Sequence, residues 1–399
     1  MRSEHFESAD VALPTGLVIG IGVVTLAVAM GIGRFAFTPL MPLMIRDGSI
    51  NTATSAEWAA ANYAGYLVGA LTASRFADDP RRGLGLSLLG VAVTTMPVGW
   101  ISGPLLPLGG AVLRTAAGIF SAWALVCVSS WCLGELARRG AAHLGAWIYT
   151  GVGLGIAGAG AFAWLGGRQA ATLLWLELGL LAAAGALFVW LQLQRPDATS
   201  APPASSVSSS PRPSTTLHHW ALVLCYGTFG FGYIILATFL PAMAREQVSD
   251  PLVFGLTWPL FGLAAALSVA AAARSLAFWP RRRVWALAQG TMALGTALPL
   301  ATQAIWALAA SAVLVGGTFM VATMAGLQLA REQAPDNPTP LLARMTVAFA
   351  TGQIAGPLLV RALPEGWAGR DAFFWANALA TALLATTAIW LWRKTSPST

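Results

Sequence analysis

The feature that most constrains the fold of this chain is a series of long apolar stretches that recurs from one end to the other. Each stretch is long enough to cross a hydrocarbon core of about 30 Å as a helix, which takes about 20 residues. Charged residues make up only 10% of the 399 residues. We therefore predict an all-α integral membrane protein with twelve transmembrane helices. The predicted helices occupy residues 14–44, 56–77, 83–101, 104–134, 141–165, 170–193, 218–243, 251–277, 283–302, 304–330, 340–362 and 370–392.

Other membrane architectures do not fit this pattern. A transmembrane β-barrel would show short segments of alternating apolar and polar residues, whereas the runs here are continuous. Helices are also the form in which a single segment satisfies its own backbone groups in lipid. The first segment follows an acidic leader, MRSEHFESAD, which is unlike a cleaved signal peptide. We expect it to remain as helix 1.

The distribution of basic residues predicts the orientation in the membrane. Short loops rich in arginine stay on the cytoplasmic side, and such loops here include Arg81 with Arg82, Arg138 with Arg139, and Arg281 to Arg283. We therefore expect both termini in the cytoplasm and the chain in the bacterial inner membrane. The net charge of +7 is then a signal of topology, so it gives no reason to expect a nucleic-acid partner.

One segment near the middle of the chain breaks the apolar pattern. Residues 194–216 read QRPDATSAPPASSVSSSPRPSTT and cannot bury enough apolar surface to become ordered. We predict a first six-helix half over residues 1–193, a cytoplasmic linker over 194–217 and a second half over 218–399.

An internal repeat supports the two halves. A shift of 199 positions places GIGRFAFTPLMPLMIRD, from residue 31, on GFGYIILATFLPAMARE, from residue 230, and matches glycine, proline and methionine positions. A shift of 201 places TGVGLG of helix 5 on TGQIAG of helix 11. Six helices separate the copies, and six is an even number, so both halves have the same orientation. Parallel six-helix repeats are typical of transporters with a substrate site between the halves.

The chain resembles the major facilitator superfamily along essentially its whole length. GIGRFAFTPLMPLM is similar to the helix 1 signature of the bacterial branch labelled YbfB/YjiJ, and RTAAG, residues 114–118, matches the superfamily's helix 4 pattern. The loop GALTASRFADDPRRG matches the superfamily's motif between helices 2 and 3 only in part. The resemblance implies a secondary transporter whose helices 1, 4, 7 and 10 line a central cavity.

Two arginines, Arg34 and Arg114, fall inside predicted helices. Each lies about ten residues from the outer helix end, so both are expected at the same depth, roughly 15 Å below the surface. A charge at that depth costs between about 3 and 10 kcal/mol unless it meets a partner or water. Two interpretations remain open: the arginines bind an anionic substrate, or they brace helices through backbone carbonyls or a carboxylate.

Several neighbours of the arginines are candidates for the same site. Asn62 and Tyr66 are polar residues of helix 2, and each of the polar candidates could instead be a hydrogen bond between helices. Trp123 and Trp258 lie deeper than most tryptophans and either wall the cavity or pack. With the two arginines, the predicted substrate-binding residues are Phe37, Thr38, Met41, Ser121, Tyr226, Tyr233, Gln328 and Gln353.

Energy coupling has a weaker signal in the sequence. Proton coupling needs a titratable group in the transport path, and Glu177 of helix 6 is the carboxylate that lies well inside a helix. The superfamily places that helix at the periphery. Cys127, Cys132 and Cys225 fall in apolar helices, where we expect free, packed thiols.

Three classes of function compete: a secondary carrier, an intramembrane enzyme and a receptor or scaffold. The duplication and the resemblance favour the carrier. The histidines are not at the spacing of a metal site, and a nucleotide-binding P-loop is absent from the sequence, so we expect no enzyme activity, cofactor or metal. The expected partners are a small-molecule substrate and the lipid bilayer, and we expect a monomer. The substrate is either a small organic anion or a drug-like amphiphile exported by proton antiport.

Overall fold

A computed structural model describes residues 13–76, 79–194, 216–248, 250–275, 279–334, 339–364 and 366–393. Residues 195–215, most of the predicted linker, lie outside them, as do residues 1–12 at the start of the chain and 394–399 at its end. The main helices are α1 (Thr15–Arg46), α2 (Thr52–Thr72), α3 (Pro80–Thr95), α4 (Leu106–Arg138), α5 (Thr150–Leu165), α6 (Ala171–Leu193), α7 (Thr216–Gln247), α8 (Thr257–Ser275), α9 (Arg281–Ala301), α10 (Ile305–Gln333), α11 (Thr339–Ala362) and α12 (Ala372–Arg393).

These helices confirm the predicted all-α fold, and each predicted span overlaps one of them. Short 3-10 turns, such as Ala73–Phe76 and Ala142–Tyr149, replace α-helix at some of the predicted ends. Of the helices in the described residues, nine are long and apolar enough to cross a membrane on their own. The others are α2, α8 and α11, and each packs against the other half of the molecule. The described part of α8 is apolar but short, over Thr257–Ala272. Protein contacts between α2 and α11 replace lipid on one side of these two helices.

The middle of α1 is not a regular α-helix. Its residues Ala27–Phe35 form a π-helix, in which each amide bonds to the carbonyl five residues earlier. Pro39 follows this segment and has no amide hydrogen, so the carbonyl of Arg34, five residues before it, has no donor on its own helix at that spacing. Side chains of neighbouring helices must therefore supply hydrogen bonds to this part of α1.

Glycines within each half show the internal repeat in three dimensions. A Cβ atom on Gly155 of α5 would contact the backbone of Ala27 in α1. In the second half, a Cβ on Gly352 of α11 would contact Gly227 in α7. These helix 5 and helix 11 glycines therefore allow each helix to approach the first helix of its own half closely.

The two halves meet along α2 with α11 and along α5 with α8. At the second contact, a Cβ on Gly262 of α8 would meet the backbone of Ala157, and a Cβ on Gly153 would lie 2.7 Å from the Gly262 carbonyl oxygen. Glycine on both helices is therefore needed for this crossing. The three cysteines of the chain are free and buried, as predicted.

The end of α1 that is predicted to face outward is fastened to the start of α6. Arg46 donates a hydrogen bond to the backbone carbonyl of Gln169 at 2.6 Å, and Asp47 accepts one from the Ala171 amide at 2.8 Å. Partial burial by itself would raise the pKa of Asp47, but these hydrogen bonds and the nearby positive charge of Arg46 hold that pKa below its usual value. The carboxylate is thus kept charged at the helix end.

Candidate functional site

Arg114 of α4 supplies the hydrogen bonds that the middle of α1 lacks. Its guanidinium donates to the carbonyl oxygen of Gly33 at 3.2 Å and to that of Arg34 at 2.9 Å. Asn62 of α2 donates to the Arg114 carbonyl at 2.8 Å and to the Gly33 carbonyl at 3.4 Å. Arg114 is 1% exposed. Its contacts are those that the helix-bracing interpretation requires.

Arg34 of α1 reaches the other half of the molecule. Its Nη2 donates to the side-chain oxygen of Gln353 in α11, and the Gln353 amide donates in turn to the hydroxyl of Tyr233 in α7. The Nε of Arg34 is buried and has no hydrogen-bond partner in the described part of the chain. The guanidinium is therefore bonded across the interface between halves by a neutral amide.

Aromatic rings surround the Arg34 guanidinium. Its central carbon lies 3.7 Å from the ring centre of Tyr66, 5.6 Å from that of Tyr63 and 5.3 Å from that of Phe35. Rings at these distances attract a cation through their negative faces. Within the described residues, Arg34 forms no ion pair with a carboxylate. Its charge is thus compensated by aromatic rings and one amide.

The second half contributes a stack of rings beside Gln353. Tyr233 lies nearly parallel to Phe319, at 8° and a ring-centre distance of 5.4 Å, and at 15° to Phe349. The four residues that the structure brings together are therefore Arg34, Gln353, Tyr66 and Tyr233. We call them the central polar cluster.

Other predicted site residues take different positions. Phe37 packs against Trp58 and Trp175 inside the first half, with the Arg114 guanidinium 5.3 Å from its ring centre. Ser121 donates to the backbone carbonyl of Ala29, so it joins α4 to α1.

Three more candidates line the interior without joining the central polar cluster. Thr38 is buried on α1. Tyr226 is buried against Phe229 and Trp285, about two turns from Tyr233 on the same face of α7. Gln328 is half-buried on α10.

Glu177, Trp123 and Trp258 do not belong to the central polar cluster either. Glu177 is half-buried on α6 and makes no hydrogen bond or ion pair with a described residue. Trp123 donates to the Thr72 hydroxyl at 3.0 Å, away from the interface between halves. Trp258 is fully buried on α8 and stacks on Phe261 at 4.9 Å.

A cavity of about 740 Å³ lies between the halves at the end of the molecule that is predicted to face outward. Its wall includes Met41 of α1, Met243 of α7 and Phe373 of α12. Beside it, Arg361 of α11 and Glu57 of α2 form an ion pair of 2.7 Å across the halves. Met41 follows Arg34 by seven residues, or about 10 Å of helix. The cavity therefore lies one to two turns beyond the central polar cluster.

Sequence reasoning missed Tyr63, Phe319 and Phe349. Tyr63 is three residues from Tyr66, so both lie on one face of α2, and its hydroxyl is 3.0 Å from that of Thr238 in α7. That spacing was the available signal. Phe319 and Phe349 had none, because phenylalanine in an apolar helix occurs equally in packing and in sites.

Comparisons with known proteins agree with this geometry. The family model described as uncharacterised MFS-type transporter YbfB matches residues 26–391. No curated protein matches the chain.

Solved structures share the fold. A mutant of the nucleoside transporter NupG is 13% identical, with a TM-score of 0.71, over 95% of this chain and 99% of that one. A D-xylose–proton symporter is 13% identical, with a TM-score of 0.69, over 94% and 96%. The POT family transporter PepTSo is 13% identical, with a TM-score of 0.68, over 93% and 96%. The match over residues 26–391 and the twelve-helix fold lead to one assignment: the chain belongs to the YbfB-type family of major facilitator superfamily transporters.

Proposed function

We propose that this transporter is a secondary carrier that moves a small organic anion by alternating access, with Arg34 as the anion-binding residue. The observation that carries the proposal is the state of Arg34: a guanidinium that is 3% exposed, lies between the halves and is hydrogen-bonded to a neutral amide. A buried charge is costly unless it is paired and hydrogen-bonded. A bound anion would supply the missing negative charge.

Arg114 has a supporting role in this proposal. Its donors are used on the carbonyls of Gly33 and Arg34, so it fixes the backbone from which the Arg34 side chain extends. Arg34 alone projects to the other half. In this proposal the two arginines predicted from the sequence have different roles: Arg114 fixes the backbone of α1, and Arg34 binds the solute.

Alternating access follows from where the Arg34 hydrogen bond lies. The bond to Gln353 joins α1 of the first half to α11 of the second half. An anion that takes the place of the Gln353 oxygen would break this link between halves and replace it with its own contacts. Binding would then change the balance between conformations, because the ligand interacts differently with each. The outer cavity and the Glu57–Arg361 ion pair mark the outward end of the path.

The test compares small carboxylates with their uncharged amides on the purified chain. We expect the carboxylates to raise the melting temperature and to support counterflow in proteoliposomes, whereas the amides do neither. Arg34→Ala removes a charge-assisted hydrogen bond and should weaken binding about 10- to 150-fold. Arg34→Lys should recover part of this, since an ammonium keeps the charge without the planar fork. Unchanged affinity in folded Arg34→Ala protein would refute the proposal.

Export of drug-like amphiphiles by proton antiport is the second candidate. The outer cavity favours it, because Met41, Met243 and Phe239 give its wall apolar, adaptable side chains. In the same stability measurement, this candidate requires neutral or cationic amphiphiles to stabilise the chain independently of Arg34.

For orientation, we propose that both termini and the segment 194–217 face the cytoplasm of a bacterial inner membrane, on the distribution of arginines. A cysteine placed by Ser206→Cys should react with a membrane-impermeant reagent only after the cells are opened. Reaction in intact cells would reverse the orientation.

A further inference from the structure

We infer that the organic anion is a planar aromatic carboxylate, whose carboxylate binds Arg34 and whose ring lies among the tyrosines around it. This inference rests on the proposed anion site. It specifies the group attached to the carboxylate, which the anion site alone does not define.

The free edge of Arg34 fits a carboxylate. In a guanidinium, Nε and one Nη form a planar edge that meets two oxygens in parallel hydrogen bonds. Here Nη2 is bonded to the single oxygen of Gln353, while Nε is buried without a partner among the described residues. Gln353 thus fills the place of one carboxylate oxygen, and the other place is vacant.

Most tyrosines of the chain lie in its interior, and three of them, Tyr63, Tyr66 and Tyr233, are near this edge. The chain has five tyrosines. Four of them, Tyr63, Tyr66, Tyr226 and Tyr233, are at most 8% exposed and lie in the interior, not at the membrane surface where the amphipathic ring is usually favoured. If these interior rings served only to pack against apolar neighbours, tyrosine would have no advantage over phenylalanine.

The rings belong to both halves. The ring centre of Tyr66 lies 3.7 Å from the central carbon of the Arg34 guanidinium, on the side of the first half. Tyr233, bonded to Gln353 and stacked with Phe319, presents a ring on the side of the second half. A planar ring attached to a carboxylate at Arg34 would contact aromatic side chains of both halves, which an aliphatic acid cannot use in the same way.

The aromatic ring of the solute would also couple solute binding to the relative movement of the two halves. In this structure, where the halves are together, rings of α2 and α7 both belong to the central polar cluster. Selection for a planar solute would therefore act at the closed state, and the carboxylate would bind Arg34 in either state.

The experiment measures binding of benzoate, cyclohexanecarboxylate and benzamide to the full chain in detergent by calorimetry. Benzoate and cyclohexanecarboxylate have the same charge and nearly the same size, but only benzoate is planar. We expect benzoate to bind at least about fivefold more tightly than cyclohexanecarboxylate, on the strength of two aromatic contacts. Benzamide should bind at least about tenfold more weakly than benzoate, since it lacks the charge.

Variants of Tyr66 make the test specific. Tyr66→Leu should bring the ratio of the two acid affinities close to one, whereas Tyr66→Phe should keep it. Trp306→Leu, which removes an aromatic side chain that is 63% exposed, should leave the ratio unchanged. Both acids are measured on the same preparation, so partial loss of folded protein cannot change the ratio.

The outcomes separate this inference from the anion proposal. Equal affinity for benzoate and cyclohexanecarboxylate would overturn the aromatic class and leave the anion site standing. Failure of benzoate to bind where another small carboxylate stabilises the chain would do the same. Equal binding of benzamide and benzoate, or binding of no carboxylate, would overturn both.

Discussion

Arg34 and Arg114 lie on neighbouring helices, yet their guanidinium groups face different partners. Arg114 bonds to carbonyls of α1 within its own half, while Arg34 bonds to Gln353 of the other half. Substitution of Arg114 should therefore mainly lower the stability of the fold, whereas substitution of Arg34 should mainly weaken binding of the solute. The distinction separates a residue that stabilises the structure from the one that we propose binds the solute.

Arg114→Ala should lower the stability of the folded chain by about 2–4 kcal/mol, because two carbonyls of α1 lose charge-assisted hydrogen bonds in a buried site. We expect a clear fall in melting temperature, measured in detergent, and weaker binding only as a result of displacement of Arg34. Arg168→Ala, at an exposed loop arginine, is the matched control and should change neither. A melting temperature equal to wild type in Arg114→Ala would contradict the bracing role.

The sequence predicted the presence and depth of both arginines but not their partners. A charged residue inside an apolar stretch can be recognised from the sequence alone, because a charge within the membrane is costly at any position in the span. Gln353 is 319 residues from Arg34 in the chain, so their contact depends on how the halves dock. The rings of Tyr66 and Tyr233 reach Arg34 for the same reason.

At the scale of elements, α1 depends on glycines of α5. Gly155 lies against the backbone of Ala27, at the start of the π-helical segment. Gly158, on the same helix, faces open space, where an added Cβ would meet nothing within 4 Å. The two positions therefore offer a controlled comparison.

Gly155→Ala should reduce the yield of folded protein and its melting temperature, since the new Cβ would force α1 and α5 apart. Gly158→Ala should be neutral or slightly stabilising, because alanine is favoured over glycine inside a helix by about 1 kcal/mol. Thermal melting of both variants checks this. Equal melting temperatures would mean that α1 and α5 do not depend on the close contact.

The helices themselves were largely predictable, and their irregularities were not. Long apolar runs predict α6 or α10 directly, because lipid requires about 20 such residues in a span. The carbonyls at the end of the π-helical segment of α1 accept hydrogen bonds from side chains on α2 and α4, and no local pattern in α1 contains those donors. The twelve-helix count and the superfamily therefore followed from sequence, whereas the shape of the site required the packed structure.

At the scale of the whole molecule, the described parts of the two similar halves are joined by buried polar contacts, which include the Arg34–Gln353 and Tyr63–Thr238 hydrogen bonds. The outer cavity, the Glu57–Arg361 ion pair and the Arg34–Gln353 hydrogen bond follow one another from the predicted outer end toward the centre. An exposed ion pair is worth at most about 1 kcal/mol, so the outer closure is weak. In the proposed mechanism, the solute replaces the Arg34–Gln353 hydrogen bond.

The account depends on the unpaired charge of Arg34, and the variant Gln353→Glu tests it most directly. A carboxylate at position 353 would pair with Arg34 within the chain and compete with any bound anion. Gln353→Leu is the matched control, since it removes the amide and leaves the cation unpaired. We predict that carboxylate binding, measured by calorimetry, falls at least about tenfold in Gln353→Glu and persists in Gln353→Leu. Wild-type affinity for carboxylates in a folded Gln353→Glu chain would contradict the account.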